Sequence, residues 1–122
     1  MIPKISIEEG WTTLEAIVKL TEGICLRTSA DIIKKCREYP KKIYFKRDIG
    51  INDPGYSKED YDAKDILDVL AMSASYGTRM KVFVEGTDEC AERHAFMLYS
   101  AVTSSDSYNP YFNRYEFLYN AP

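Results

Sequence analysis

The 122 residues carry a net charge of −3 at pH 7, and 45% of them are hydrophobic and 29% charged. This length and balance predict one globular domain, with a core large enough to be stable without disulfides or structural metals. Because nucleic-acid binding needs a basic field, the negative net charge disfavours DNA or RNA as a partner.

The cysteine pattern disfavours disulfides and metal sites. The three cysteines are Cys25, Cys36 and Cys90, an odd number, and no CxxC pair or Cys/His cluster is present. Cys36 and Cys90 are predicted to be buried side chains on helices. We therefore expect neither a metal nor another cofactor.

No apolar run approaches the roughly 20 residues that cross a bilayer. The first residues, MIPKISIEEGW, also lack the continuous apolar core of a signal peptide. These two patterns predict a cytoplasmic protein without membrane insertion.

The first half of the chain predicts a strand, a helix, a second strand and a loop. Residues 12–21 alternate apolar and polar positions, which is typical of a half-buried strand. Apolar residues then recur every three or four positions over 29–39, which predicts a helix. Residues 41–48 are rich in aromatic and β-branched types and predict a strand, whereas the Gly, Asn, Asp and Pro of 49–60 predict a long exposed loop.

The second half predicts a short strand near 61–64, a helix over 65–75, a strand over 78–86 and a helix over 87–102. The element order is therefore β-α-β-β-α-β-α. Because strands and helices do not strictly alternate, this order predicts an α+β fold with helices on one face of a mostly antiparallel sheet.

The stretch TEGICLRTSADIIKKC places reactive groups at the start of the first helix. Thr28 or Ser29 is predicted to cap this helix, with Asp31 in its first turn. Because a helix N-terminus presents unpaired N–H groups, Arg27, Thr28 and Ser29 predict a small anion-binding site. The same surroundings lower a thiol pKa, so Cys25 is interpreted as an apolar filler, a reactive thiol or a phosphoryl acceptor.

The helix predicted over 65–75 has apolar residues on two sides. Ile66, Leu67 and Leu70 group on one of them. Since a short helix cannot bury both sides against one sheet, these three residues predict a partner-binding surface, unless the loop or the C-terminal residues cover it. Asp65 is predicted to be the N-cap of this helix.

The last residues, SSDSYNPYFNRYEFLYNAP, are unusually rich in tyrosine and phenylalanine. Disordered segments are poor in aromatic residues, so this extension is predicted to pack back on the open face of the sheet or to join a second chain in a dimer. The whole chain, 1–122, is predicted to be one domain with a core over 12–103 and an extension over 104–122.

Three segments, in this order, resemble HPr, the histidine-containing phosphocarrier of the bacterial sugar phosphotransferase system. GICLRTSA at 23–30 is similar to the family motif G-[LI]-H-A-R-P-A. AKDILDVLAMSASYG at 63–77 and KVFVEGTDECAERHA at 81–95 resemble the family's second and third helices with the strand between them. The resemblance covers roughly 12–103 and implies the open-faced β-sandwich of HPr, with four antiparallel strands and three helices on one face.

The resemblance also assigns roles to residues. The phosphorylated histidine of the family falls at Cys25, Arg27 keeps the family's arginine, and Thr28 replaces its proline. The serine that a kinase phosphorylates in many members falls at Asp65, which carries a permanent negative charge. The resemblance implies docking to Enzyme I, permease domains or transcription regulators through the second helix.

Together these patterns predict a diverged HPr-like protein that lacks the active-site histidine and acts as a regulatory or protein-binding paralogue rather than an enzyme. A first alternative is a phosphoryl or redox carrier that uses Cys25. A second alternative is a structural module whose aromatic extension covers its own apolar surface.

Overall fold

A computed structural model describes residues 3–50 and 53–103 of the chain. The predicted aromatic extension, 104–122, lies outside the described residues. In chain order the described elements are β1 (Ser6–Glu8), β2 (Trp11–Ile17), α1 (Leu26–Arg37), β3 (Ile43–Gly50), β4 (Asp53–Tyr56), β5 (Tyr61–Asp62), α2 (Ile66–Ala71), β6 (Arg79–Glu85) and α3 (Glu89–Thr103).

The strands form an antiparallel sheet in the order β1-β2-β6-β3-β4, and β5 pairs with β3. Val82 in the central strand β6 lies opposite Leu14 of β2 on one side and Phe45 of β3 on the other. The α+β class with an antiparallel sheet is confirmed. The described residues contain six strands rather than four, because β1 and β4 extend the two edges.

The prediction of a long loop over 49–60 is wrong for much of that stretch. β3 continues to Gly50, and Tyr56 of β4 pairs with Asp48. Residues 51 and 52 lie outside the described residues. Proline and glycine suggested a loop, but β4 is an edge strand, and one side of an edge strand needs no ladder hydrogen bonds and tolerates proline.

The helices cover one face of the sheet and form the core with it. α3 packs on β2 and β6, and α1 packs on α2 and α3. The core side chains that these elements contribute are at most 5% exposed: Leu14, Ala16, Phe45, Met80, Val82, Val84, Ile32, Ile33, Cys36, Ala91, Ala95, Leu98 and Val102. No helix within the described ranges is long and apolar enough to cross a membrane.

α1 begins earlier than predicted, because its N-cap is Cys25 rather than Thr28 or Ser29. Cys25 is extended, with φ −89° and ψ −177°, and its carbonyl accepts the Ser29 N–H at 2.9 Å. No side chain caps this helix end, and no acidic residue lies in the first turn, so the prediction for Asp31 is also wrong. The Thr28 hydroxyl instead bonds backward to the Cys25 carbonyl at 3.1 Å, which a residue inside the first turn can do.

The N-cap prediction for the second helix is confirmed. Asp65 accepts the Leu67 N–H at 2.9 Å, so its carboxylate satisfies one of the unpaired donors at the start of α2. α2 is shorter than the predicted helix over 65–75, and its Val69 is buried in the core. Asp88 accepts the Ala91 N–H at 2.9 Å at the start of α3.

Candidate functional site

The loop that leads into α1 is held against the chain that follows α2. The Gly23 N–H donates to the Leu20 carbonyl, and the Ile24 N–H donates to the Ala74 carbonyl, both at 2.8 Å. Gly23 has φ +70°, and a Cβ there would lie 2.7 Å from the Ala74 oxygen. Only glycine permits this close approach, so Gly23 fixes the position of Cys25 relative to the end of α2.

Cys25 lies half-buried at the N-terminus of α1. The Thr28 hydroxyl lies 3.6 Å from its Sγ. The backbone N–H of Thr28, then this hydroxyl, and then the backbone N–H of Arg27 lower the pKa of the Cys25 thiol below its ordinary value. Partial desolvation and the Glu22 carboxylate oppose this shift. Hydrogen-bond donors of the first helical turn therefore favour the thiolate.

Of the three residues predicted to bind an anion, only Arg27 has a side-chain donor that is available to a ligand. Arg27 is exposed, and its guanidinium makes no hydrogen bond or ion pair within the described part of the chain. The Thr28 hydroxyl is already engaged with Cys25. Ser29 is fully buried, and its N–H donates to the Cys25 carbonyl, so it offers no donor to an anion in solution.

α1 and α2 run in opposite directions. At the start of α1, the Ile24 N–H donates to the carbonyl of Ala74, which lies just after the end of α2. At the end of α1, the Arg37 guanidinium donates to the carbonyl of Lys64, which lies just before the start of α2, at 3.2 and 3.3 Å. Asp65 therefore lies near the C-terminus of α1, and Cys25 lies near its N-terminus. At 1.5 Å per residue, the 12 residues of α1 span about 18 Å, so the two predicted functional positions are well separated.

The three residues predicted to bind partners differ in exposure. Leu67 is 73% exposed, whereas Ile66 and Leu70 are half-buried and Ile66 packs against the core. Two further apolar side chains, Leu26 and Tyr76, are each 64% exposed. Leu26 follows Cys25 in the chain, and Tyr76 lies in the turn before β6. Neither side chain was predicted to bind a partner, because Leu26 lies outside the predicted helix and Tyr76 follows the predicted second helix in a turn.

The other cysteines and the histidine lie elsewhere. Cys36 is buried as predicted, and burial raises the pKa of its thiol to about 12. The prediction of a buried Cys90 is wrong, because its position on α3 faces solvent. The His94 ring lies 4.7 Å from the Tyr39 ring, just beyond the C-terminus of α1. No cluster of His, Cys, Asp or Glu among the described residues could hold a metal ion.

A family model described as "PTS HPr component phosphorylation site" matches residues 12–98. The chain belongs to the HPr family of the phosphotransferase system. The matched stretch runs from β2 into α3, so it includes Cys25, Arg27 and Asp65. The resemblance drawn from the three sequence segments is thereby confirmed.

Solved structures of HPr proteins share the fold. The phosphocarrier protein HPr of Bacillus anthracis str. Ames is 19% identical, with a TM-score of 0.63 over 77% of this chain and 99% of that one. HPr-C-His of Thermoanaerobacter tengcongensis is 16% identical, with a TM-score of 0.58 over 77% and 97%. A Mycoplasma histidine-containing phosphocarrier protein is also 16% identical, with a TM-score of 0.53 over 86% and 91%. No curated protein matches the chain by sequence.

Proposed function

We propose that the chain is a regulatory or protein-binding member of the HPr family that does not carry a phosphoryl group on histidine. The observation that supports this most directly is Cys25, which lies at the N-terminus of α1 where the HPr motif has its histidine. A thiol cannot form phosphohistidine. The proposed location is the cytoplasm, on the basis of membership in the HPr family.

His94 is a poor substitute for the missing histidine. It is the only histidine of the chain, and its ring packs on Tyr39. Tyr39 follows the C-terminus of α1, whereas Cys25 lies at the N-terminus of that helix, about 18 Å away along its axis. A partner enzyme that aligns its phosphoryl group with the start of α1 therefore meets Cys25 and Arg27 rather than an imidazole.

The proposed docking surface combines exposed Leu67 and half-buried Leu70 of α2 with two exposed apolar side chains near the start of α1. Leu67 and Leu70 lie on α2, while Leu26 and Tyr76 lie near the other end of the helix pair. Arg27 adds a charged donor that is free among the described residues and suits a carboxylate or phosphate of the partner. HPr proteins interact with phosphotransferase components such as Enzyme I, so we propose Enzyme I, permease domains or transcription regulators as partners.

Asp65 has a structural role and a proposed regulatory one. Its carboxylate caps α2 through the Leu67 N–H, which explains its presence without any regulation. The same carboxylate places a negative charge beside Leu67, at the position that the resemblance to HPr aligns with the family's regulatory serine. We propose that this charge keeps the docking surface permanently in the state that phosphorylation of that serine would produce.

Replacing Leu67 by serine is expected to weaken binding to Enzyme I about tenfold, because Leu67 is the most exposed large apolar side chain of α2, at 73%, and contributes to the proposed interface and not to the fold. The free energy of unfolding should change by less than about 0.5 kcal/mol, since Leu67 makes little contact with the core. Isothermal titration calorimetry with Enzyme I measures the affinity, and urea denaturation measures the stability.

A matched control for this substitution is Ile7→Ser on β1, because Ile7 is also exposed, at 57%, but lies on a strand at the sheet edge and not on the helix pair. The Ile7→Ser protein should bind as the wild type does. Equal affinities of the Leu67→Ser and wild-type proteins would contradict the proposed docking surface.

The second candidate function is a carrier or redox role for Cys25. The observation that favours it is the position of the Cys25 sulfur at the N-terminus of α1, where the Thr28 N–H and hydroxyl and the Arg27 N–H lower the pKa of the thiol. A thiolate at this position is a nucleophile that faces the same partners as the histidine of HPr. The carrier role is compatible with the proposed docking surface. It differs from the regulatory role because Cys25 would itself receive and pass on a covalently bound group.

Alkylation by iodoacetamide is expected to modify Cys25 with a pH midpoint below the value of about 8.5 for a free thiol. Replacing Thr28 by valine should raise this midpoint, because the hydroxyl that favours the thiolate is removed. Mass spectrometry of the digested protein measures each cysteine separately, and buried Cys36 should remain unmodified. A Cys25 midpoint equal to that of an unfolded peptide of the same sequence would eliminate the carrier role.

A further inference from the structure

The sheet face opposite the helices carries a cluster of aromatic rings. Trp11 of β2 and Tyr44 of β3 are in edge contact, with ring centroids 5.0 Å apart. Tyr44 stacks on Phe83 of β6, with centroids 4.5 Å apart and an angle of 8° between the planes. The ammonium groups of Lys46 and Lys81 lie 5.8 and 5.2 Å from the centroids of the Tyr44 and Phe83 rings. No described helix covers these rings.

The outer face is continuous with the end of α3. The Val102 carbonyl accepts the Lys19 N–H at 3.0 Å, which holds the last turn of α3 beside the end of β2. A cleft of about 470 Å³ opens there, and Thr103, the last residue of α3, lines it together with Ile17 and Arg79. Ile17 and Arg79 lie on the outer face, at strand positions that alternate with buried ones.

The edge of β2 leaves room for the chain to pass from the helix side to the outer side. β1 pairs only with Trp11–Thr13, so no described strand pairs with the far edge of β2 over residues 14–17. Ile17, at the end of this unpaired edge, is 45% exposed. Thr103 therefore lies beside an open edge of β2, and this edge leads to the aromatic cluster.

The residues that follow Thr103 have the length and composition to cover this face. The 19 residues of 104–122 reach about 60 Å when extended, whereas Ile17 and Trp11 are about 20 Å apart along β2. Six of the 19 residues are tyrosine or phenylalanine. In an extended conformation, Tyr111, Tyr115, Phe117 and Tyr119 share one side.

We propose that residues 104–122 bind in cis to the outer face of the sheet, with their aromatic side chains packed on Trp11, Tyr44 and Phe83. Aromatic rings pack favourably in offset and edge-to-face arrangements, and such packing removes apolar surface from water on both partners. This contact lies on the face opposite α1 and α2, so it leaves the proposed docking surface free. It is independent of the proposed function, which rests on the helix side.

Trp11 is the only tryptophan of the chain, so its fluorescence reports on this face. In the full-length protein, the double substitution Tyr115→Ser and Phe117→Ser is expected to raise the acrylamide quenching constant of Trp11 roughly twofold, because the covering rings are lost. The emission maximum should move to longer wavelength. Asn113→Ser, in the same segment but without loss of an aromatic ring, is the matched control and should leave both quantities unchanged.

Three results would overturn the proposal. The first is unchanged quenching in a folded double variant. The second is a wild-type protein in which acrylamide quenching of Trp11 rises on dilution while light scattering shows a fall in molar mass. This result would assign the contact to a second copy of the chain. If the double variant does not fold, the Tyr119→Ser protein provides the same test through the NMR resonance of the Trp11 indole N–H. A resonance at the wild-type chemical shift in Tyr119→Ser is the third result.

Discussion

Replacing Gly23 by alanine is expected to lower the free energy of unfolding by about 3 kcal/mol. Two effects add. Gly23 has φ +70°, a region that costs an L-residue energy, and the new Cβ would lie 2.7 Å from the Ala74 oxygen and 2.8 Å from the Ser75 Cα. Both neighbours are backbone atoms, so relief of the contact requires the chain after α2 to move away from the start of α1.

Gly77→Ala is the control that separates these effects. Gly77 has φ +89°, but a Cβ there meets no atom within 4 Å, so only the conformational cost remains, about 1 kcal/mol. Urea denaturation of the three proteins measures the difference. Equal losses in Gly23→Ala and Gly77→Ala would contradict the close packing at the start of α1 that positions Cys25.

Replacing Cys25 by histidine is expected to convert the protein from one that accepts no phosphoryl group to one that accepts one per molecule. The substitution restores the side chain of the HPr motif at the N-cap of α1. Arg27 and the N–H groups of the first turn remain next to it to stabilise the added negative charge. The measurement is intact mass after incubation with phosphoenolpyruvate and Enzyme I.

Two variants serve as controls for this gain. His94→Gln in the Cys25→His background should retain the added mass, because His94 lies beyond the other end of α1. Cys25→Ser should remain unmodified. No added mass in Cys25→His would contradict either the placement of the HPr motif on residues 23–30 or the docking of Enzyme I at this surface.

The parts of the fold that follow from hydrophobic periodicity were predictable. The alternation Met80, Val82, Val84 faces the core in β6, and Ile32, Ile33 and Cys36 form the buried stripe of α1. The cap at Asp65 was predictable as well, because an aspartate directly before an apolar helical pattern has a local partner in the backbone. These signals depend on neighbouring residues only.

The features that the sequence did not reveal depend on tertiary neighbours. β4 forms because the Asp48 region of β3 offers an open edge, which local composition does not encode. Thr28 or Ser29 was predicted to cap α1, but the helix already begins at Leu26, and Ser29 is buried within it. Cys90 is exposed because the stripe of α3 that packs on the sheet contains Ala91, Ala95 and Leu98 and leaves Cys90 on the solvent side.

The candidate site was predicted in part. The position of Cys25 at a helix N-terminus followed from the motif, and its lowered pKa agrees with that placement. The donors that lower this pKa are the backbone N–H and hydroxyl of Thr28 and the backbone N–H of Arg27, not the Arg27 guanidinium. The sequence does not reveal this difference, because it does not specify the direction of a flexible side chain. The opposite directions of α1 and α2, which separate Cys25 from Asp65, required the structure.

The most direct test of the proposed function is the intact mass of the wild-type protein after incubation with phosphoenolpyruvate and catalytic Enzyme I, with Cys25→Ser measured in parallel. We expect no added mass in either protein, because the chain lacks a histidine at the start of α1. One phosphoryl group on the wild type that is absent from Cys25→Ser would contradict this account and identify Cys25 as the acceptor of a working carrier.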